Sequence, residues 1–147
     1  MPQLINELEF ADLLAPVVAG TSTQVSAALS CNGATNFLFL VAFGALTSTT
    51  APVVSIQGST DGTNFSDLEG SGCLVADTES NKTVVVECDL PKYTFTHLRV
   101  QITRPTANAV IRGVIGCRRL RRLEPVTQGT GIIATSKYVI SPPAGTA

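Results

Sequence analysis

Residues 98–122, LRVQITRPTANAVIRGVIGCRRLRR, constrain the fold more than any other stretch of the chain. Leu98, Val100 and Ile102 alternate with Arg99, Gln101 and Thr103. That period of two puts one set on a buried sheet face and the other in solvent. Beyond a turn containing Pro105, residues 109–115 are apolar on both faces except at Arg112, which predicts a deeper strand. The run ends in four arginines, Arg118, Arg119, Arg121 and Arg122. Two strand patterns meeting at a turn argue for a β-sandwich or barrel and against an enzyme built on helices.

The same pattern recurs along the chain. Segment 17–31 is Ser/Thr-rich, with Val25, Ala27 and Leu29 on one side of a strand whose other face is solvated. Residues 37–46, FLFLVAFGAL, are continuously apolar and predict a central strand covered on both faces. A strand over 53–58 leads to Asp61-Gly62, a pair suited to a two-residue hairpin, and Asn64, Phe65 and Leu68 continue the return. After a loop at 69–72 come a short strand at 73–76, a turn at 77–81 and a strand over 82–90 that Pro91 ends. Strands over 95–104 and 108–119 complete a set of seven to nine, with no long helix. The expected fold is all-β, an antiparallel sandwich or jelly roll. The domain spans 17–123, between an N-terminal arm over 1–16, read as a short helix or an extended arm, and a C-terminal arm over 124–147.

Length and charge set further bounds. At 147 residues the chain suits one domain able to bury a real core. Only 14% of residues are charged, against about 25% in an ordinary soluble domain. So little charge points to surface covered by other chains; a neutral Ser/Thr-rich surface is the plainer account. The C-terminal arm carries Ile132, Ile133, Tyr138, Val139 and Ile140 among Gly, Ser, Thr and Pro. Such an arm builds no core of its own, and its apolar clusters favour docking on a neighbour. No apolar run reaches the roughly 20 residues of a membrane-spanning helix, so no membrane partner is expected. The acidic N-terminus does not resemble a secretory signal.

Chemistry-bearing motifs are sparse. Cys31, Cys73, Cys88 and Cys117 form no CxxC pair and read as free thiols. His97, the one histidine, reads as an edge residue with a hydrogen bond, although a partner cysteine brought near it by the fold stays open. Asp61, Asn64, Asp67 and Glu69 crowd together without EF-hand spacing, so turn chemistry outweighs calcium. No catalytic residue, cofactor or metal site is expected. On a strand, Arg119 and Arg121 share one face while Arg118 and Arg122 share the other with Leu120. Contact with a partner protein is the favoured use of the four arginines, ahead of solvated charge; nucleic acid ranks last, since no aromatics are interleaved.

Four segments, VVSIQGSTDGTNFSDLEGS, YTFTHLRVQITRPTANAVIRGVIGCRR, LEPVTQGTGIIA and VISPPAGTA, resemble a group of small tailed-bacteriophage virion proteins. The resemblance covers about residues 53–147 and is strongest at 106–116 and 141–147. It departs at CRRLRR, where relatives tend to carry a QYGARK-like segment. The resemblance implies a non-enzymatic cement or decoration protein of the capsid, jelly-roll-like. Its partners would be the major capsid protein and further copies of itself, a trimer being favoured. It would be assembled in the bacterial host cytoplasm and reside in the virion. A carbohydrate-binding β-sandwich of a phage tail or fibre is the alternative, though such modules display aromatic platforms and this chain has no Trp and two Tyr.

Overall fold

A computed structural model describes residues 7–47, 51–90, 95–104, 108–120 and 127–133. It is an all-β sandwich of two antiparallel sheets. Among the described residues ten strands run in chain order: β1 (Leu8–Leu14), β2 (Gln24–Val25), β3 (Leu29–Ser30), β4 (Ala34–Thr47), β5 (Val53–Ser59), β6 (Ser66–Asp67), β7 (Cys73–Leu74), β8 (Thr83–Asp89), β9 (His97–Thr103) and β10 (Asn108–Leu120). One sheet has the order β1-β10-β4-β8; the other has β2-β9-β5-β6, with β3 also on β9 and β7 also on β5. A 3₁₀ turn at Asp77–Glu79 precedes β8, and Asn81 takes a positive φ of 62° to close it.

Alternation builds the core. On β4, Phe37, Phe39, Val41 and Phe43 are completely buried. They meet Leu98, Val100 and Ile102 of β9 and Val54 and Ile56 of β5 in one apolar cluster. The register sets Gly116 of β10 beside Phe39. A Cβ there would stand 2.5 Å from Leu13 and 2.7 Å from Leu29, so those two leucines fill the space the glycine leaves.

Several expectations are corrected. Residues 8–14 are not an arm: they pair with β10 from Leu8↔Arg119 to Leu14↔Val114 and bury Ala11 and Leu13. Residues 17–31 form two two-residue strands rather than one long one; Leu29 is buried while Val25 is exposed, because only short pieces reach β9. Asp61-Gly62 is not a two-residue hairpin. Only Gly62 has positive φ, and the loop is built on the Asp61 carboxylate, leaving a returning strand of two residues. The patterns of 98–103 and 108–120 do not pair with each other either, since β9 and β10 belong to opposite sheets. Finally, β4 is central, and among the described residues its second face is covered only in part, so that Leu38, Leu40 and Ala42 remain partly exposed.

These two faces of one strand give the first test. Phe39→Ala is expected to cost about 3–5 kcal/mol of unfolding free energy in a urea titration. Leu38→Ala, one residue away on the partly exposed face, should cost less than about 2 kcal/mol.

Candidate functional site

The two sheets present unlike outer faces. On the six-stranded sheet, Ser55, Gln57, Arg99 and Gln101 hydrogen-bond among themselves and with Asp67. Gln57 Nε2 donates to Asp67 Oδ1 at 3.0 Å and to Gln101 Oε1 at 2.9 Å, and Arg99 Nε donates to Gln57 Oε1 at 2.8 Å. The Arg99 guanidinium lies 4.0 Å over the Phe65 ring centroid. This is a satisfied polar face, with Ser55 and Gln57 themselves buried in the network.

The outer face of β1-β10-β4-β8 is apolar at its centre, with Asp12, Asn36, Glu87 and Arg119 around it. Phe10, Ile115, Leu38, Leu40 and Val85 alternate outward from its four strands. Ile115 is 39% exposed and Val85 60%. Two depressions mark it. One, about 310 Å³, lies over Leu8, Leu38 and Cys117 beside Glu7, Glu87 and Arg119. The other, about 420 Å³, lies over Leu14, Leu40 and Ile115 beside Asp12 and Arg112, with Ile132 on its wall. An antiparallel sheet exposed to water on one face ordinarily alternates apolar-in and polar-out. This one does not, which makes the face the candidate interaction surface.

The arginine cluster divides. Arg118 points inward, its side chain only 18% exposed. Its Nε and Nη2 donate to Glu9 Oε2 at 3.0 and 2.8 Å, and Nη1 donates to the Ser30 carbonyl at 2.7 Å. Arg118 therefore ties β1 to the turn after β3, and the expectation of a partner contact is corrected for this residue. Arg119 faces outward on the rim of the apolar face, 63% exposed, with Nη2 3.5 Å from Glu7. Arg121 and Arg122 lie outside the described residues, as do Tyr138, Val139 and Ile140.

Residues 127–133 dock on their own chain, correcting for this part the expectation that the C-terminal arm sits on a neighbour. Gly129 N donates to the Phe10 carbonyl at 2.8 Å and Asp12 N donates to the Thr130 carbonyl at 2.9 Å. Gln128 Oε1 accepts from Phe10 N at 2.9 Å, and its Nε2 donates to the Leu8 carbonyl at 3.1 Å. The segment thus covers the free edge of β1. A Cβ on Gly129 would stand 2.7 Å from the Phe10 carbonyl oxygen, so glycine permits the approach. Ile132 joins the apolar face, and Ile133 is 79% exposed.

Arg104, missed in the sequence, is 1% exposed. Its guanidinium donates to the carbonyls of Ser22, Val18 and Ala109 and to Ser22 Oγ. Burial pushes its pKa down. The available signal was an arginine beside a proline at the end of a strand whose inward positions are otherwise apolar.

Asp61 orders its own loop. Asp61 Oδ1 accepts from Asn64 N at 2.7 Å, Thr63 N at 2.8 Å and Ser59 Oγ at 2.8 Å, and Oδ2 accepts from Asn64 Nδ2 at 2.7 Å. These bonds, above all that from Asn64 N, hold the carboxyl far below its ordinary range. Among the described residues no group of three metal-ligating side chains occurs. Burial pushes the free thiols of Cys31 and Cys117 up to about 11, so both stay protonated and weakly nucleophilic at neutral pH. His97 Nδ1 lies 3.0 Å from Thr96 Oγ1. No helix among the described residues is long and apolar enough to cross a membrane.

No family model matches the chain, and no curated protein matches it. Among solved structures, the chain is similar to the SPBc2 prophage-derived protein YomS, at 12% identity over 76% of this chain and 93% of that one, with a TM-score of 0.44. It is also similar to the enzymatically active domain of bacteriophage CBA120 tailspike protein 4, at 12% identity over 78% of this chain but only 20% of that one, with a TM-score of 0.41.

Two tests follow from this geometry. Arg118→Ala leaves Glu9 and the Ser30 carbonyl without their partner and should lower stability by about 1–3 kcal/mol. Arg119→Ala should change it by no more than about 0.5 kcal/mol in the same chemical denaturation. For Asp61 the folded pKa lies below the ordinary 3.8, so the unfolded chain binds more protons at acid pH. The stabilisation is therefore full above about pH 4 and declines as pH falls toward the lowered value. Amide exchange at Thr63 and Asn64 should stay slow down to about pH 3, near where an ordinary aspartate is largely protonated, and should speed up in Asp61→Asn.

Proposed function

We propose that this chain is a non-enzymatic structural protein of a tailed-bacteriophage virion, a capsid cement or decoration protein that stabilises the head through contacts between subunits. The sequence resemblance over residues 53–147 supplies the phage assignment. The observation that carries the assembly reading is the apolar outer face of the β1-β10-β4-β8 sheet, set against the hydrogen-bonded polar face opposite. Burying Phe10, Leu38, Leu40, Ile115 and Val85 removes apolar area from water, while Asp12, Glu87, Arg112 and Arg119 stand around them. A face of four strands about seven residues long measures roughly 20 Å by 23 Å. That is about half of the roughly 800 Å² per partner of a standard interface. One contact of this size is weak, and repetition around a closed oligomer makes it strong. This favours copies of the chain, a trimer foremost, together with the major capsid protein as partners. The protein would assemble in the host cytoplasm and remain in the virion.

A carbohydrate-binding module of a tail or fibre has one observation in its favour, the Gln57-Asp67-Gln101-Arg99 surface. These groups already satisfy one another, and the Phe65 ring is taken by Arg99, so the surface offers no free stacking platform. Specific binding on a glycan array would favour that reading.

Analytical ultracentrifugation of the intact protein at micromolar concentration should give an oligomer, and the protein should co-sediment with phage heads. The double variant Leu40→Asp/Ile115→Lys should shift the protein to monomer while keeping its β-sheet circular dichroism. A native chain that sediments as a clean monomer and does not join heads overturns the reading.

A further inference from the structure

β1 is an edge strand of the four-stranded sheet, and the described segment along its free edge, residues 127–133, is not a strand. The edge groups that this segment meets are the Leu8 carbonyl, the amide and carbonyl of Phe10, and the Asp12 amide. Two of these are met by main chain: Gly129 N donates to the Phe10 carbonyl, and the Thr130 carbonyl accepts from Asp12 N. The other two are met by one side chain, the Gln128 amide, which accepts from Phe10 N and donates to the Leu8 carbonyl. The Gln128 side chain thus stands where a neighbouring strand would put a peptide group. Partner numbers rise together, so the segment runs parallel to β1. No residue of 127–133 is buried, so little apolar area holds the segment down. Segments held in this way open locally at a low free energy.

We infer that residues 128–130 guard a latent interface: once they lift off, β1 pairs antiparallel with β1 of a second copy about a two-fold axis at Ala11. The inference goes beyond the assembly reading, since it uses the edge of the sheet and not its outer face. An uncovered strand edge is a ready template for another chain. The β1 sequence, LEFADLL, has no proline, so every residue keeps its N–H. In this register Phe10 stands opposite Asp12 of the second copy, and the two residues exchange both backbone bonds. Three of the groups used, the amide and carbonyl of Phe10 and the Asp12 amide, are ones the cover now satisfies. Glu9 stands opposite Leu13, so no two carboxylates face each other; an axis at Glu9 or at Asp12 would oppose like charges directly. Ala11 meets its own counterpart in a pair without hydrogen bonds, whose Cα atoms are about 4.5 Å apart. The contact is isologous and closes on itself, joining two four-stranded sheets into one.

Two glycines decide how closely the cover sits. A Cβ on Gly129 would stand 2.7 Å from the Phe10 carbonyl oxygen and 2.9 Å from the Ala11 Cβ. Both atoms belong to β1 and cannot give way without disturbing its ladder with β10, so a side chain at 129 lifts the cover instead. Gly129 has no positive φ, so the close approach alone calls for glycine there. At the far end a Cβ on Gly131 would stand 2.5 Å from the Asp12 Cβ. A cover held by two close approaches and one glutamine, with no buried side chain of its own, can be shed and restored without unfolding the sandwich.

Amide exchange and cross-linking of the full-length chain test the guard and the interface separately. In Gly129→Val, exchange at Phe10 and Asp12 should quicken at least about tenfold, while the Ala11 amide, which faces β10, keeps its protection. Gly131→Val should do the same through its separate clash with Asp12. Ala11→Cys added to Gly129→Val should then form a disulfide between copies under mild oxidation, since the expected Cα separation lies within the roughly 4.4–6.8 Å that a disulfide spans. Its yield should be several times that of Ala11→Cys alone, with Gly129→Val alone as the background for the native thiols. If Phe10 and Asp12 stay as protected in both glycine variants as in the native chain, the guard is overturned. If their amides are freed and no cross-link rises above background, the β1–β1 interface is overturned. Equal cross-linking with and without Gly129→Val also overturns the guard, because the cover would then hide nothing.

Discussion

The antiparallel ladder between β4 and β10 is the constraint on which the rest of the molecule depends. It runs from Asn108↔Thr47 to Leu120↔Ala34, with register shifts at three places. One face of β4 carries four fully buried large side chains, and the longer strands around it take their places from that face or from the ladder. β1 adds to one side of the pair and β8 to the other, and β9 and β5 pack across from it. A slip of one residue would turn Phe37, Phe39, Val41 and Phe43 outward, so the register is held by the burial of three phenylalanines and a valine. The second sheet is assembled more loosely, from two seven-residue strands edged by four two-residue pieces.

Two arginines close the places where strands alone leave gaps. Arg118 bridges β1 and the turn after β3 through a carboxylate and a carbonyl, and Arg104 fastens residues 18–22 to the corner between β9 and β10. The contrast with Arg119, one residue along and facing out, follows from strand alternation. A cluster that reads in one dimension as a basic patch becomes one internal tie and one exposed charge, together with Arg121 and Arg122, which are not described.

Much of the fold was legible because the strands that bury most are those with the plainest pattern. β9 alternates without exception, and β4, β5 and β8 stand out by their β-branched and aromatic content. β1 was not legible. Its inward positions include Glu9, whose partner Arg118 lies 109 residues away, so a charge stands where the period calls for an apolar residue. The docking of residues 127–133 was hidden for another reason. It depends on backbone bonds and on Gly129 letting two chains come close, and composition records neither. The candidate surface was half legible. The uninterrupted apolar run at 37–46 signalled two apolar faces, but it did not tell that the described residues cover one of them fully and the other only in part.

The cage around Arg104 bears on how sequences of this shape can drift. Three of its acceptors are main-chain carbonyls, at Val18, Ser22 and Ala109. A carbonyl is present whatever side chain its residue carries. The latch therefore reads the path of residues 18–22 and is nearly blind to their identity, with the Ser22 hydroxyl as the exception. Descendants of this chain can rewrite that exposed stretch freely while retaining one arginine, and the corner between the two sheets will stay where it is. The arginine alone carries the latch in its side chain, although the path of the run is half of the device.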